Sequence, residues 1–331
     1  MSDTGLESRR NGTLDAVKIL MALLVVGIHE NPFYEFSESA GYLTGNGLFR
    51  IAVPFFLITN GYFYFKADRS RKRAWLRHLV LMYLFWMAVY APFWLAEVGQ
   101  PASPTAVIKV LFHNGYHHLW YLLAALYAVL CAECIECFKL RPHQTLLVAM
   151  ALLCLGYATQ TFAAYTVVSG VDVPSITQSL YATRNFLFLG LPFVLIGKLL
   201  ATRPEYQIQQ DRTACFMIGV GALILVGESM IYFNSFWNSA YSWNMANNDI
   251  YLSVAIISPA IFCLALNHPW NTRHRFLGTM ANGIYLVHPL MVAAFATLTL
   301  TSWQRLLMVC VASAILAYCM TLLPKPLRFM T

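Results

Sequence analysis

Apolar runs long enough to cross hydrocarbon recur from Leu14 to Leu323, separated only by short polar breaks. This feature excludes most folds. Each run has about the 17 to 25 residues that a helix needs to span a bilayer core. In lipid every backbone amide must be satisfied inside its own segment or in a closed barrel, and runs without strict alternation choose the helix. Charged residues make up 11% of the 331 and hydrophobic ones 59%, whereas a soluble chain carries about 25% charged residues. The expectation is an all-α, polytopic integral membrane protein.

The runs give about ten expected spans, near 14–31, 45–65, 78–96, 118–138, 144–164, 184–201, 213–233, 250–267, 276–298 and 303–323. Lys66, Arg69, Arg71, Lys72, Arg73 and Arg77 form the densest basic cluster, which the positive-inside rule puts in the cytoplasm. Alternation then requires Arg9 with Arg10, Lys139 with Arg141, Arg203 with Arg212, Arg273 with Arg275, and Lys325 with Arg328 to share that side, and all do. Both termini are therefore expected to be cytoplasmic, as tails 1–13 and 324–331 of a single membrane domain, 1–331. The opposite breaks are poor in Lys and Arg and rich in Tyr, Trp, Asn and Ser. Such aromatic residues suit the interfacial belt, and they can also stack on a sugar ring.

The formal charge of +7 reads as this orientation signal, so nucleic acid is not an expected partner; membrane lipids are. Arg9 and Arg10 precede a full-length span without a cleavage pattern, which argues against a removable signal peptide. Nearly all of the eight cysteines fall inside spans and are expected to be reduced. Cys131, Cys134 and Cys137 have metal-like spacing but no second pair, and no metal site is expected.

Ionisable side chains at bilayer depth cost roughly 2.5 to 3.5 kcal/mol on insertion scales, so each is a functional candidate. Lys18 and His29 lie eleven residues apart on the first helix, close to three whole turns, which puts them on one face and roughly 16 Å apart along the axis. The structural alternative is a snorkelling lysine and a satisfied interior histidine. Arg50, Arg184, Glu228, His288 and the His117–His118 pair beside Trp120 complete the set. Arg50, Arg184 and the histidine pair can equally be interfacial anchors. A mid-helix Glu228 is expected to face the bundle interior and pair with a base or a polar ligand.

No nucleophile elbow, phosphate loop or zincin helix is present, nor a His and Asp four residues apart. Instead, LDAVKILMALLVVGIH, with a basic residue, ten residues and then His, resembles the first-helix signature of the acyltransferase-3 family of membrane acyltransferases. FRIAVPFFLITNGYFYF, HHLWYL at 117–122, TRNFLFLGLPFVLIG at 183–197 and NGIYLVHPL at 282–290 are similar to further blocks of that family, in order. The likeness covers nearly the whole chain. It is strongest to the membrane half of the vancomycin-resistance serine racemases, a branch of the family, and includes GESMIY around Glu228.

The resemblance implies a ten-helix domain in the bacterial cytoplasmic (inner) membrane. It would take an acyl group, usually acetyl, from cytoplasmic acyl-CoA to an acceptor such as a sugar hydroxyl of a surface glycan or its lipid-linked precursor. Acyl-CoA is a substrate here, and no tightly bound cofactor is expected. By position, Lys18 stands for the family's usual Arg, and His29 for its essential His. Arg73 and Arg77, four apart, stand for a basic pair three apart, and Asn60 replaces the usual Ser before Gly61.

The chemistry fits these positions. Phosphates of the donor call for basic groups such as Lys18, Arg73 and Arg77, although an ammonium cannot grip a phosphate in the bidentate way of a guanidinium. A sugar hydroxyl needs a base titrating near neutrality, which His29 supplies. Asn60, Arg184 and Tyr285 are candidates to hold the oxyanion, Glu228 to orient a ligand or His29, and His118, Trp120 and His288 to act on the acceptor side. A covalent acyl-histidine relay stays open. The competing readings are a transporter or binding module for a small polar molecule such as serine, which inverted repeats with broken helices would favour, and a structural subunit of an envelope assembly.

Overall fold

The structure is a computed structural model that describes residues 10–99, 103–171, 182–236, 248–272, 276–324 and 330. Arg9, Arg273, Arg275, Lys325 and Arg328 of the expected basic breaks lie outside the described residues, as does most of both tails. Thirteen helices are described here in chain order. Helix α1 (Gly12–Glu30) starts where the Asn11 side chain accepts the Leu14 N–H, and stops at Asn31, a left-handed residue at φ 43°. After α2 (Glu38–Gly45) and a 3-10 turn at Leu48–Ile51 comes α3 (Ala52–Lys66). Helix α4 (Arg69–Val89) meets α5 (Ala91–Val98) at a bend of 67°, and Pro92 in the first turn of α5 accounts for the break.

The short α6 (Pro104–Lys109) and a 3-10 turn at His117–Leu119 precede α7 (Trp120–Glu136) and α8 (Pro142–Ser169). A π turn at Phe186–Gly190 feeds α9 (Leu191–Thr202), followed by α10 (Asp211–Phe236), α11 (Val254–Asn267), α12 (Phe276–Phe295) and α13 (Ser302–Thr321). Two residues depart from the all-α expectation at each of two places: β1 (Arg10–Asn11) pairs antiparallel with β2 (Asn271–Thr272).

Every expected span coincides with a helix, yet the spanning lengths differ from the sequence reading. Among the described residues seven helices are long and apolar enough to cross a membrane, or eight if the bent α4–α5 pair is one span. Phe186–Thr202 and Val254–Asn267 are shorter apolar helices. The physical reason is visible at 250–253, expected to be helical: Ile250, Tyr251 and Ser253 are buried before α11 begins. Irregular backbone at depth is tolerated where protein covers it.

Helices α3 and α7 are the interior of the bundle, with 61% of their spanning windows buried, whereas α8, α10 and α13 bury 22% and form its outside. The most extensive helix contact joins α3 to α9. Glycines permit it: a Cβ on Gly61 would lie 2.4 Å from the Val194 carbonyl oxygen, and one on Gly197 would lie 2.2 Å from that of Ile58. Such small residues replace the hydrophobic effect as the means of helix association in lipid.

The basic segments converge at one end of the bundle. Lys72 pairs with Glu133 (2.6 Å) and Lys198 with Glu136 (3.1 Å), tying the starts or ends of α4, α7 and α9 together. Asn11 donates to the Ala265 carbonyl, and His268 meets Asp211, which brings α1, α10 and α11 to the same end.

Candidate active site

At the basic end, Asp15 is buried and bridges two cations, Arg10 at 3.1 Å and Lys18 at 3.0 Å. The Lys18 ammonium also lies 5.4 Å from the centre of the Phe63 ring. Lys18 is thus one part of an ion-paired group. Asp15 was missed by the sequence reading. Its signal was present, an Asp three residues before a Lys in the first turn of an apolar helix. Arg73 and Arg77 are exposed and border a groove with Arg69, Ser70 and Ala74.

Deeper in the bundle a small cavity opens between α3, α4, α7 and α12. Its polar lining consists of Asn60, His78, Tyr121, Asn282 and Tyr285, and Phe56 is among its apolar residues. Asn60 donates to the Tyr121 hydroxyl at 2.6 Å. Neither Lys18 nor His29, which share one face of α1, lines this cavity. Helix α12 carries the wall instead.

Tyr285 belongs both to that wall and to a cluster of imidazoles. Its hydroxyl donates to the His118 carbonyl at 2.6 Å, and its ring packs 5.5 Å from His118 and 5.9 Å from His288. The His288 ring lies 5.1 Å from His29 and 5.3 Å from His118. His288 is completely buried and His118 nearly so, while His29 is exposed. His29 thus has one side uncovered and the other backed by a buried imidazole. His29, Tyr285, His118 and His288 are therefore gathered in one place, as the sequence could not show. Among the described residues no group of His, Cys, Asp or Glu is arranged to hold a metal ion.

Beyond the imidazoles, Asp249 holds both arginines of the far end. Arg184 approaches its carboxylate at 2.7 and 3.2 Å, and Arg50 pairs with the same group. Arg50 also donates to Asn46 Oδ1 at 2.6 Å, and Gln160 Oε1 accepts the Asp249 N–H at 3.0 Å. The Arg184 guanidinium lies 5.8 Å from the centre of the Trp120 ring, a cation–π contact. Asp249 and Gln160 escaped the sequence reading, because a carboxylate in a polar break looks solvated until the fold buries it. Arg305 with Glu30 (2.6 Å) is a further far-end pair.

Glu228, expected to pair with a base or a polar ligand, does neither. Its carboxylate accepts the N–H groups of Leu252 (3.0 Å) and Ser253 (3.1 Å) and the Ser253 hydroxyl. It closes the N-terminus of α11, where a negative charge meets unsatisfied donors and the positive end of the helix dipole.

Helices packed through small residues, with clustered histidines packed against a tyrosine of the cavity wall and ion pairs at both ends, define a polytopic membrane protein with a chemically equipped interior. The model of the acyltransferase-3 family, described as an acyltransferase domain, matches residues 11–323. The chain belongs to that family. It is also 24% identical to an amino-acid racemase of Enterococcus faecalis, over 98% of this chain and 47% of the relative. It is 23% identical to a serine/alanine racemase of Enterococcus gallinarum, over 86% of this chain and 41% of the relative. The chain thus spans less than half the length of these curated relatives. No solved structure matches it.

Proposed function

We infer that this membrane acyltransferase moves an acyl group, acetyl in the simplest case, from cytoplasmic acyl-CoA to a hydroxyl of an envelope glycan or its lipid-linked precursor. The observation that carries the reading is the position of Tyr285, which lines the cavity between α3, α4, α7 and α12 and also packs against His118 and His288. On this reading a thioester arm reaches from the cavity past Tyr285, so that its carbonyl carbon and the acceptor hydroxyl meet at His29. Arg73 and Arg77 offer charge for the phosphates of the donor. Within the cavity, the Asn60 amide and the Tyr285 hydroxyl are the groups suited to an oxyanion. On this reading all ten apolar segments cross or enter the bacterial inner membrane, and the basic end is cytoplasmic.

His29 acts as the general base, and such a group contributes roughly 10² to 10⁴ in rate. His29→Ala is expected to abolish transfer of labelled acetyl to envelope glycan in membranes while leaving the amount and melting of the protein unchanged. Acetylation at the wild-type rate would remove the proposal. The relatives named as amino-acid racemases favour one second reading, a module that binds or carries an amino acid. Uptake of labelled serine into vesicles that survives His29→Ala would support it.

A further inference from the structure

Pro289 interrupts α12 one residue after His288. Having no N–H, it leaves the carbonyl of Tyr285, four residues back, without its helical donor. That carbonyl instead receives the His288 ring, with Nδ1 at 2.7 Å. A carbonyl only accepts, so Nδ1 carries the proton and Nε2 carries the lone pair. Nε2 is buried and has no hydrogen-bond partner among the described residues. A buried acceptor left without a donor is costly, roughly 1 to 3 kcal/mol, and a group held in one tautomer at that cost calls for a use.

The use follows from what surrounds it. His29 comes from α1, His118 from the turn before α7, and Tyr285 from the same helix. Tyr90, at the junction of α4 and α5, gives its hydroxyl to the Leu286 carbonyl at 2.8 Å. Arg50 and Arg184 stand at the far end, paired on Asp249. Among the described residues no carboxylate pairs with His288. The group facing its ring from the exposed side is another imidazole, His29.

The geometry points to His288 as the second member of a two-imidazole proton relay, in which its Nε2 takes the proton that His29 removes from the acceptor hydroxyl. The inference rests on the acyl-transfer reading given above. The hydroxyl oxygen forms the new C–O bond to the thioester carbonyl carbon while its proton goes to His29. The carbon–sulfur bond breaks and the thiolate leaves. Because Nδ1 of His288 stays on the Tyr285 carbonyl, the proton held on Nε2 returns through His29 to the thiolate, so that alcohol and thioester give ester and thiol with no change of oxidation state. His288 does not touch the substrate; the Tyr285 carbonyl keeps it in the tautomer that receives a proton.

His288→Asn keeps an amide N–H for the Tyr285 carbonyl and has no nitrogen that takes up a proton. We expect it to insert and melt as wild type, with the acyl-CoA KM unchanged, kcat lowered about 100-fold, and an altered pH profile. His288→Gly, with exogenous imidazole added to the membranes, is expected to regain part of the lost kcat. A His288→Asn enzyme with wild-type kcat and pH profile overturns the relay. So does a loss of kcat that imidazole does not rescue and that leaves the pH profile as it was, because His288 would then be a packing residue. In either case, inactivity of His29→Ala keeps the acyltransferase reading standing, whereas full activity of His29→Ala removes that reading itself.

Discussion

Pro289 takes away a single N–H, and the consequence is an imidazole fixed in one tautomer. In a helix interior proline is worse than alanine by about 3 kcal/mol. Pro289→Ala should therefore raise thermal stability, while its new N–H competes with His288 for the Tyr285 carbonyl. The expected enzyme melts at a higher temperature and turns over roughly tenfold more slowly or worse, in keeping with the sensitivity of catalysis to small misplacements. A melting curve beside a steady-state assay checks both halves, and a gain in both would contradict the account. Glu228 is the converse case, a carboxylate whose interactions are structural. Glu228→Ala is expected to cost about 2 kcal/mol through the lost helix cap, read as a lower melting temperature, with kcat per folded molecule preserved. At this scale the sequence displayed the identity of the intramembrane groups but not their partners. His29 and His288 are 259 residues apart, and only the packing of α1 on α12 makes them neighbours. Glu228 was conspicuous for the right reason, since a carboxylate at that depth needs donors. Its donors are the backbone of a helix end, which no side-chain pattern announces.

Helix positions were legible because a run of about twenty apolar residues has few alternatives in lipid. Helix continuity was less so. Residues 250–253 read as the head of a span, yet Ile250, with Asp249 before it, is held by the Gln160 side chain, which accepts both their N–H groups at 3.0 and 3.1 Å. Ser253 is turned onto Glu228. Hydropathy cannot reveal backbone that takes its hydrogen bonds from side chains of other helices. The α3–α9 contact was equally hidden, although its glycines were in view. Gly61 and Gly197 let each backbone approach the other, and Asn60, next to Gly61, faces the cavity. Gly197→Leu should force α3 away from α9, because its Cβ would fall 2.2 Å from the Ile58 carbonyl oxygen. We expect less folded protein in detergent extracts and a cavity distorted at Asn60, with the donor KM raised in whatever folds. Gly219→Leu on α10, where a Cβ meets nothing within 4 Å, is the matched control and should behave as wild type.

For the whole molecule the positive-inside pattern and the packing agree on one point that neither gives alone. The described basic breaks, at 66–77, 139–141 and 203–212, come together through the Lys72–Glu133 and Lys198–Glu136 pairs and the ties among α1, α10 and α11. At the opposite end, Arg50, Arg184 and Arg305 are bound to Asp249 and Glu30, so they add little free charge there. Charge asymmetry of this kind orients a bundle in the membrane, and orientation decides which substrate meets which opening. In a cysteine-free background, Ser70→Cys should react with an impermeant maleimide only in inverted vesicles, and Ser39→Cys only in right-side-out ones. The same two preparations test the donor. Acyl-CoA added outside should support transfer in inverted vesicles and fail in right-side-out vesicles, because the exposed Arg73 and Arg77 lie at the basic end. Replacing both with Glu should raise the donor KM at least about tenfold at low ionic strength. The deficit should narrow as salt screens the exposed charges beyond a Debye length of about 10 Å at 0.1 M. Donor use from the wrong face would reverse the assigned orientation while leaving the histidine chemistry intact, since His29, His288 and Tyr285 keep their mutual distances whichever way the bundle is inserted.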